Sequence, residues 1–203
     1  MSAALLFTRH LQVMAAAPGR PDGASTEPAA ATSPGHPAIP TDRAAFVERF
    51  GGVVEHSAWV AEAAWEAGPF RDVAALHAAV DTALFAGTPE QQLAVLLAHP
   101  ELATRIKVEP ADLTAESASE QAGAGLDRLA EDRRLALAAA LAEYRERFGF
   151  PFIACVRDHG GATLGQLVAS RLPAERDAEL QVALREVSRI ARHRLDDLVP
   201  THP

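Results

Sequence analysis

The sequence predicts an all-α domain, on three observations. From Thr41 onward, large apolar residues recur at spacings of three and four. The segments they define begin at residues that cap helices and end at glycine or proline. The one break in helical period, Phe150-Pro-Phe-Ile-Ala-Cys-Val156, is a single short apolar run. A lone strand has nothing to pair with, so this run reads as a buried extended connector whose backbone N–H and C=O groups need other partners. A ligand can be one of them. The expected architecture is a single compact multi-helix domain of about eight helices, one connector and a disordered N-terminal tail.

The tail comes first. Residues 15 to 40 are rich in Ala, Pro, Gly, Ser and Thr, without period and with few large apolar side chains to offset the entropy of ordering. Residues 1–40 are therefore expected to be a tail, or an over-extended start with Met14 as initiator, and residues 41–203 the helical domain. The apolar start MSAALLFTRHLQVMAAA has no basic residue ahead of it and is interrupted by Arg9 and His10, so no secretion signal is expected.

Thr41-Asp42 caps a first helix that buries Phe46, Val47 and Phe50 and stops at Gly51-Gly52. Ser57 caps a second through Trp59, Val60, Ala63 and Ala64, ending before Gly68-Pro69. Val73, Leu76, Val80 and Leu84 make a third from about Asp72 to Ala86. Thr88-Pro-Glu-Gln91 is a capping box with proline at the first helical position, starting a fourth that ends at His99-Pro100. Residues 103–113 read as loop, a fifth helix runs from about Ser117 to Leu129, and a sixth from Asp132 to Phe148. After the connector, a short helix covers Thr163 to about Leu172 and a long one Pro173 to Leu198. On the long helix, Leu180, Ala183, Leu184, Val187, Ile190, Ala191 and Leu198 form an apolar face, and Arg194 falls on it.

Bulk properties narrow the function. A formal net charge of -8, with no Lys/Arg cluster free of interleaved acids, opposes nucleic-acid binding. No run reaches the roughly 18 apolar residues of a membrane span. Cys155 is the one cysteine, so neither an intrachain disulfide nor a thiolate metal cluster can form, which fits a cytoplasmic protein. No H-E-x-x-H or comparable ligand pair occurs, and no metal or other cofactor is expected.

Four polar groups stand out. His99, between a leucine-rich helix and a proline, is either a cationic helix cap or a proton carrier. Ser117 and Glu120 match S-x-x-E, which on spacing is first of all a capping box that opens the next helix, with a carboxylate for acid/base work beside His99 as the sharper reading. Arg194 either packs its stem and meets a structural carboxylate or awaits an anion. Taken singly, none of them specifies a reaction.

A resemblance adds what spacing does not. Val54-Glu-His-Ser-Ala-Trp-Val60, Leu97-Ala-His-Pro-Glu-Leu102, Leu113-Thr-Ala-Glu-Ser-Ala-Ser-Glu-Gln-Ala-Gly123 and Tyr144-Arg-Glu-Arg-Phe-Gly-Phe-Pro-Phe-Ile-Ala-Cys-Val-Arg157 together resemble the OHCU decarboxylase family. The likeness runs from about Arg43 to Val199, in order, and leaves out the tail. It implies decarboxylation of 2-oxo-4-hydroxy-4-carboxy-5-ureidoimidazoline to (S)-allantoin in urate breakdown. It further implies His99, Glu120 and Arg194 as catalytic residues. The substrate contacts it implies are Pro100, Ser117, Glu120, Gln121 and the connector residues Phe152, Ile153, Ala154, Cys155 and Val156. The Ile106–Asp112 loop departs from the family, which often has glycine there and varies in loop length. The partner expected is a small molecule, with no nucleic acid or membrane, and a homodimer is left open.

The implied substrate carries its carboxylate next to a ring C=N, so electrons released with CO2 flow into the imine without pyridoxal, thiamine or metal. Two other classes remain. A cofactor-free helical lyase on another heterocyclic acid would keep the same site, and a non-catalytic interaction module would need no inward arginine.

Overall fold

A computed structural model describes residues 35–100, 130–159 and 163–199. Among these are seven α-helices and no strand. They are α1 (Arg43–Phe50), α2 (Ala58–Trp65), α3 (Val73–Ala86), α4 (Pro89–Ala98), α5 (Glu131–Phe148), α6 (Leu164–Arg171) and α7 (Arg176–Leu198), with a 3-10 turn at Val156–Asp158. They match seven of the eight expected helices. The remaining one, the fifth in the expected order, from about Ser117 to Leu129, lies outside the described residues, as does the 103–113 loop.

Local chemistry explains most boundaries. The carboxylates of Asp42 and Asp72 accept from Ala45 N–H and Ala75 N–H, satisfying first-turn donors of α1 and α3. Both Thr88 with Gln91 and Thr163 with Gln166 close reciprocal capping boxes on α4 and α6. Ser57 departs from expectation: its hydroxyl donates to Glu55 C=O instead of capping α2. Gly149 ends α5 at φ 81, a left-handed turn only glycine adopts without strain, and so swings the chain into the connector. Gly87, between α3 and α4, is needed for space, because a Cβ there would sit 2.6 Å from the Trp59 ring.

Packing centres on α7, which contacts α3, α4 and α5, while α1, α2 and α3 pack in succession and α6 rests on α5. Phe46 lies at 4.9 to 5.7 Å from the rings of Phe50, Trp65 and Phe70, and Tyr144 groups with Phe148, Phe150 and Phe152. Residues 35–40, assigned to the tail by composition, pack on the helices. Ile39 is buried and His36 N–H donates to Phe70 C=O at 2.8 Å.

The inward face of α7 differs from the apolar stripe. Ala183, Leu184, Val187, Ala191 and Leu195 are buried, but so are Glu179, Glu186 and Ser188, whereas Leu180 and Ile190 are half-buried and Leu198 is exposed. A helix touched from several sides buries more than one stripe. Its acids go inside only because other elements bring donors to them.

Candidate active site

His99 follows the last residue of α4. Because the next residue is Pro100, His99 is steered out of the helical region, and it sits at φ -70, ψ 134. Its buried ring turns back, and Nδ1 lies 3.0 Å from the carbonyl of Val95. A carbonyl only accepts, so Nδ1 carries the hydrogen. The bond caps an orphan carbonyl and at once selects the tautomer with its hydrogen on Nδ1. Capping and proton transfer, alternatives at the level of sequence, are compatible in one side chain. Pro100 itself is exposed.

Arg194 stands near the C-terminal end of α7. Its Nη1 donates to Glu55 Oε2 at 3.0 Å and toward Val53 C=O at 3.3 Å. Both side chains are about a quarter exposed, at 23% and 26%. The arginine therefore meets a carboxylate from the Val54-Glu-His-Ser segment, 139 residues away. The next residue, His56, adopts φ 46, an uncommon conformation for a residue with a side chain. Since α4 packs on α7, the elements bearing His99 and Arg194 are neighbours. Ser117, Glu120 and Gln121 lie outside the described residues.

The connector is buried at Phe150, Phe152, Ile153 and Cys155 and half-buried at Ala154 and Val156. Its backbone finds side chains, as an unpaired extended run must. Ile153 C=O accepts from Arg171 Nη1 and Cys155 N–H donates to Glu186 Oε2, each at 2.7 Å. Three residues spaced by seven along α7 hold this region. Glu179 accepts from Arg171 Nε at 2.7 Å, Glu186 takes Cys155 N–H and His159 Nε2, and His193 Nε2 pairs with Asp158 at 2.7 Å. Arg189 adds a third donor to Glu186 at 2.8 Å. Sequence reasoning missed Arg171, Glu179 and Glu186. The available signal was the Glu, Glu, His series at 179, 186 and 193, one stripe of a straight helix.

Around the 3-10 turn, Cys155, Asp158 and His193 place one donor atom each within 4.8 Å of one another. The set has sulfur, oxygen and nitrogen ligands of the kind zinc accepts, but three groups fall short of a closed site. In the protein as described they serve each other. Hydrogen bonding to His193 holds the Asp158 carboxyl below its ordinary range. Burial, then the Asp158 and Glu186 carboxylates, push the Cys155 thiol up to about 11, so it stays protonated and is no nucleophile near neutrality.

Residues 40–196 match the model of the OHCU decarboxylase family. A 2-oxo-4-hydroxy-4-carboxy-5-ureidoimidazoline decarboxylase of Mus musculus is 40% identical over 157 residues, 77% of this chain and 88% of that protein. The protein of that name from Halalkalicoccus jeotgali is 38% identical over 157 residues, 77% of this chain and 86% of its own. Among solved structures, an (S)-allantoin synthase superposes with a TM-score of 0.62 at 26% identity, covering 81% of this chain and 53% of that one. This chain thus spans about half the length of that protein. An OHCU decarboxylase crystallised with (S)-allantoin shares the fold at a TM-score of 0.52 and 23% identity, over 68% of this chain and 89% of that one. The four sequence motifs, the helical fold built on α7 and these matches agree, and the chain belongs to the OHCU decarboxylase family.

Proposed function

We propose that this chain, a carboxy-lyase of urate degradation, decarboxylates 2-oxo-4-hydroxy-4-carboxy-5-ureidoimidazoline to (S)-allantoin with His99 as its proton carrier. The bond from C4 to the carboxylate breaks, CO2 leaves, its electron pair forms a bond between C4 and C5, and the C=N pair moves onto the ring nitrogen, which takes up a proton. That gives an intermediate with a C4–C5 double bond and the hydroxyl still on C4. Loss of the hydroxyl proton and delivery of a proton to C5 turn the enol into a C4 carbonyl and create the stereocentre. The substrate is its own electron sink. The protein contributes positioning, charge and a proton on one face.

The observation that carries this reading is the bond from His99 Nδ1–H to Val95 C=O, which fixes the neutral tautomer whose basic nitrogen is Nε2. In this reading Glu120 orients His99 or the ureido group, and Pro100, Ser117 and Gln121 serve substrate binding. Arg194, held between Val53 C=O and Glu55, balances carboxylate charge.

The connector supplies backbone contacts from Ala154 outward. Its peptide bonds are trans, so N–H and C=O of each peptide point in opposite directions. With Ile153 C=O turned to Arg171 and Cys155 N–H to Glu186, the N–H of Ala154 points away from Arg171 and its C=O away from Glu186. One donor and one acceptor on a single half-buried residue suit an amide edge of a ureido or ring group. Phe152 and Val156 frame that edge.

The compartment in this reading is the cytoplasm and the partner a small molecule, with no role for nucleic acid. No helix among the described residues is long and apolar enough to cross a membrane. Sedimentation equilibrium decides between monomer and homodimer. The activity test follows the circular dichroism of allantoin formed from freshly generated substrate. With the protein the signal rises faster and with one hand, whereas a racemic product at the spontaneous rate refutes the reading.

A further inference from the structure

Arg171, at the end of α6, serves three elements at once. Nε donates to Glu179 on α7 at 2.7 Å, Nη2 to the Tyr144 hydroxyl on α5 at 3.2 Å, and Nη1 to Ile153 C=O on the connector at 2.7 Å. Its guanidinium carbon lies 4.5 Å from the centre of the Phe152 ring. Tyr144 is fully buried, stays protonated because burial and the Glu179 carboxylate disfavour its anion, and donates to Glu179.

Stability is a poor explanation for this assembly. A buried ion pair is often no better than apolar residues of the same volume, and the buried Glu179 Oε2 has no hydrogen-bond partner among the described residues. What the set supplies is direction. A planar fork with donors on several edges fixes the plane of the 153–154 peptide, which a lysine with one flexible ammonium cannot do while also bonding Glu179 and Tyr144.

We propose that Arg171 is a positioning residue for substrate binding, held in register by Glu179 and Tyr144, and that it acts by setting the orientation of the connector peptide at Ile153–Ala154. This rests on the reading that the connector contacts substrate. Arg171 touches no reacting atom, so its loss should weaken binding more than chemistry.

The test compares wild type with Arg171→Lys, which keeps the charge beside Glu179 but not the fork. Steady-state kinetics on freshly generated substrate should show KM raised about tenfold, kcat within about threefold and an unchanged pH profile of kcat, since His99 is untouched. An unchanged KM in a folded Arg171→Lys protein overturns the proposal, as does a fall in kcat with KM constant. Should the lysine variant fail to fold, Tyr144→Phe decides. It keeps the ring packing, removes the hydroxyl, and should raise KM about three- to fivefold, while an unmoved KM overturns the proposal. Wild type that forms no allantoin above the spontaneous rate sinks the proposed function instead. Active wild type beside variants of unchanged KM sinks this inference alone.

Discussion

Replacing His99 separates its two jobs, because asparagine and glutamine each imitate one ring nitrogen. The amide nitrogen of asparagine falls where Nδ1 lies and can keep the bond to Val95 C=O, but it has nothing at Nε2. His99→Asn should therefore hold the end of α4. It loses some ring packing at a buried position, worth about 1 kcal/mol, or about 2–4 °C of melting temperature for a domain of this size. Turnover should fall by about two to four orders of magnitude, equivalent to about 3–5 kcal/mol of barrier, the usual share of acid/base catalysis. His99→Gln puts its amide near Nε2 and forfeits the Val95 bond. It should be as inactive and less stable by about another 1 kcal/mol. Melting curves and initial rates of allantoin formation on the same preparations check both quantities. His99→Asn within about fivefold of wild-type turnover would refute His99 as the proton carrier and leave it a helix cap.

Three further outcomes are expected. The Arg194–Glu55 pair is partly exposed, so Arg194→Met should cost at most about 1 kcal/mol while abolishing the rise in melting temperature that (S)-allantoin-like ligands give wild type. A large drop in the ligand-free melt with the ligand shift retained would take Arg194 out of the site. Glu120→Gln should leave the melting temperature unchanged and remove most activity, and full activity in that variant rejects the catalytic role. With its pKa raised to about 11, Cys155 should be about one part in a thousand thiolate at pH 8. Iodoacetamide should then label native protein far more slowly than urea-unfolded protein, with equal rates contradicting the buried thiol.

How much was legible in the sequence follows from the range of each interaction. Helix boundaries depend on residues within four positions of one another. The Asp42 cap, the Thr88/Gln91 box and the His99-Pro100 stop could therefore be read directly and recur in the structure, as do the helix starts at Asp72 and Thr163. The connector was legible for a similar reason, since a lone apolar run among helices must be extended and must send its backbone groups elsewhere. Ser57 was misread because its hydroxyl had a competing acceptor two residues back, at Glu55 C=O.

Sequence alone thus determined the helical class, the order of elements, the unpaired connector and, through its motifs, the family. Tertiary structure decided which charges meet. Glu179 and Glu186 look like ordinary solvated helix acids by pattern, yet they are buried because Arg171, Tyr144, His159 and the Cys155 amide arrive from other elements. Arg194 was placed on the inward face by period, but its partner Glu55 comes from the far end of the domain sequence. Pairings of this kind depend on how helices cross. Crossing is set by the packing of whole faces around α7 and leaves no mark on the spacing of any single segment.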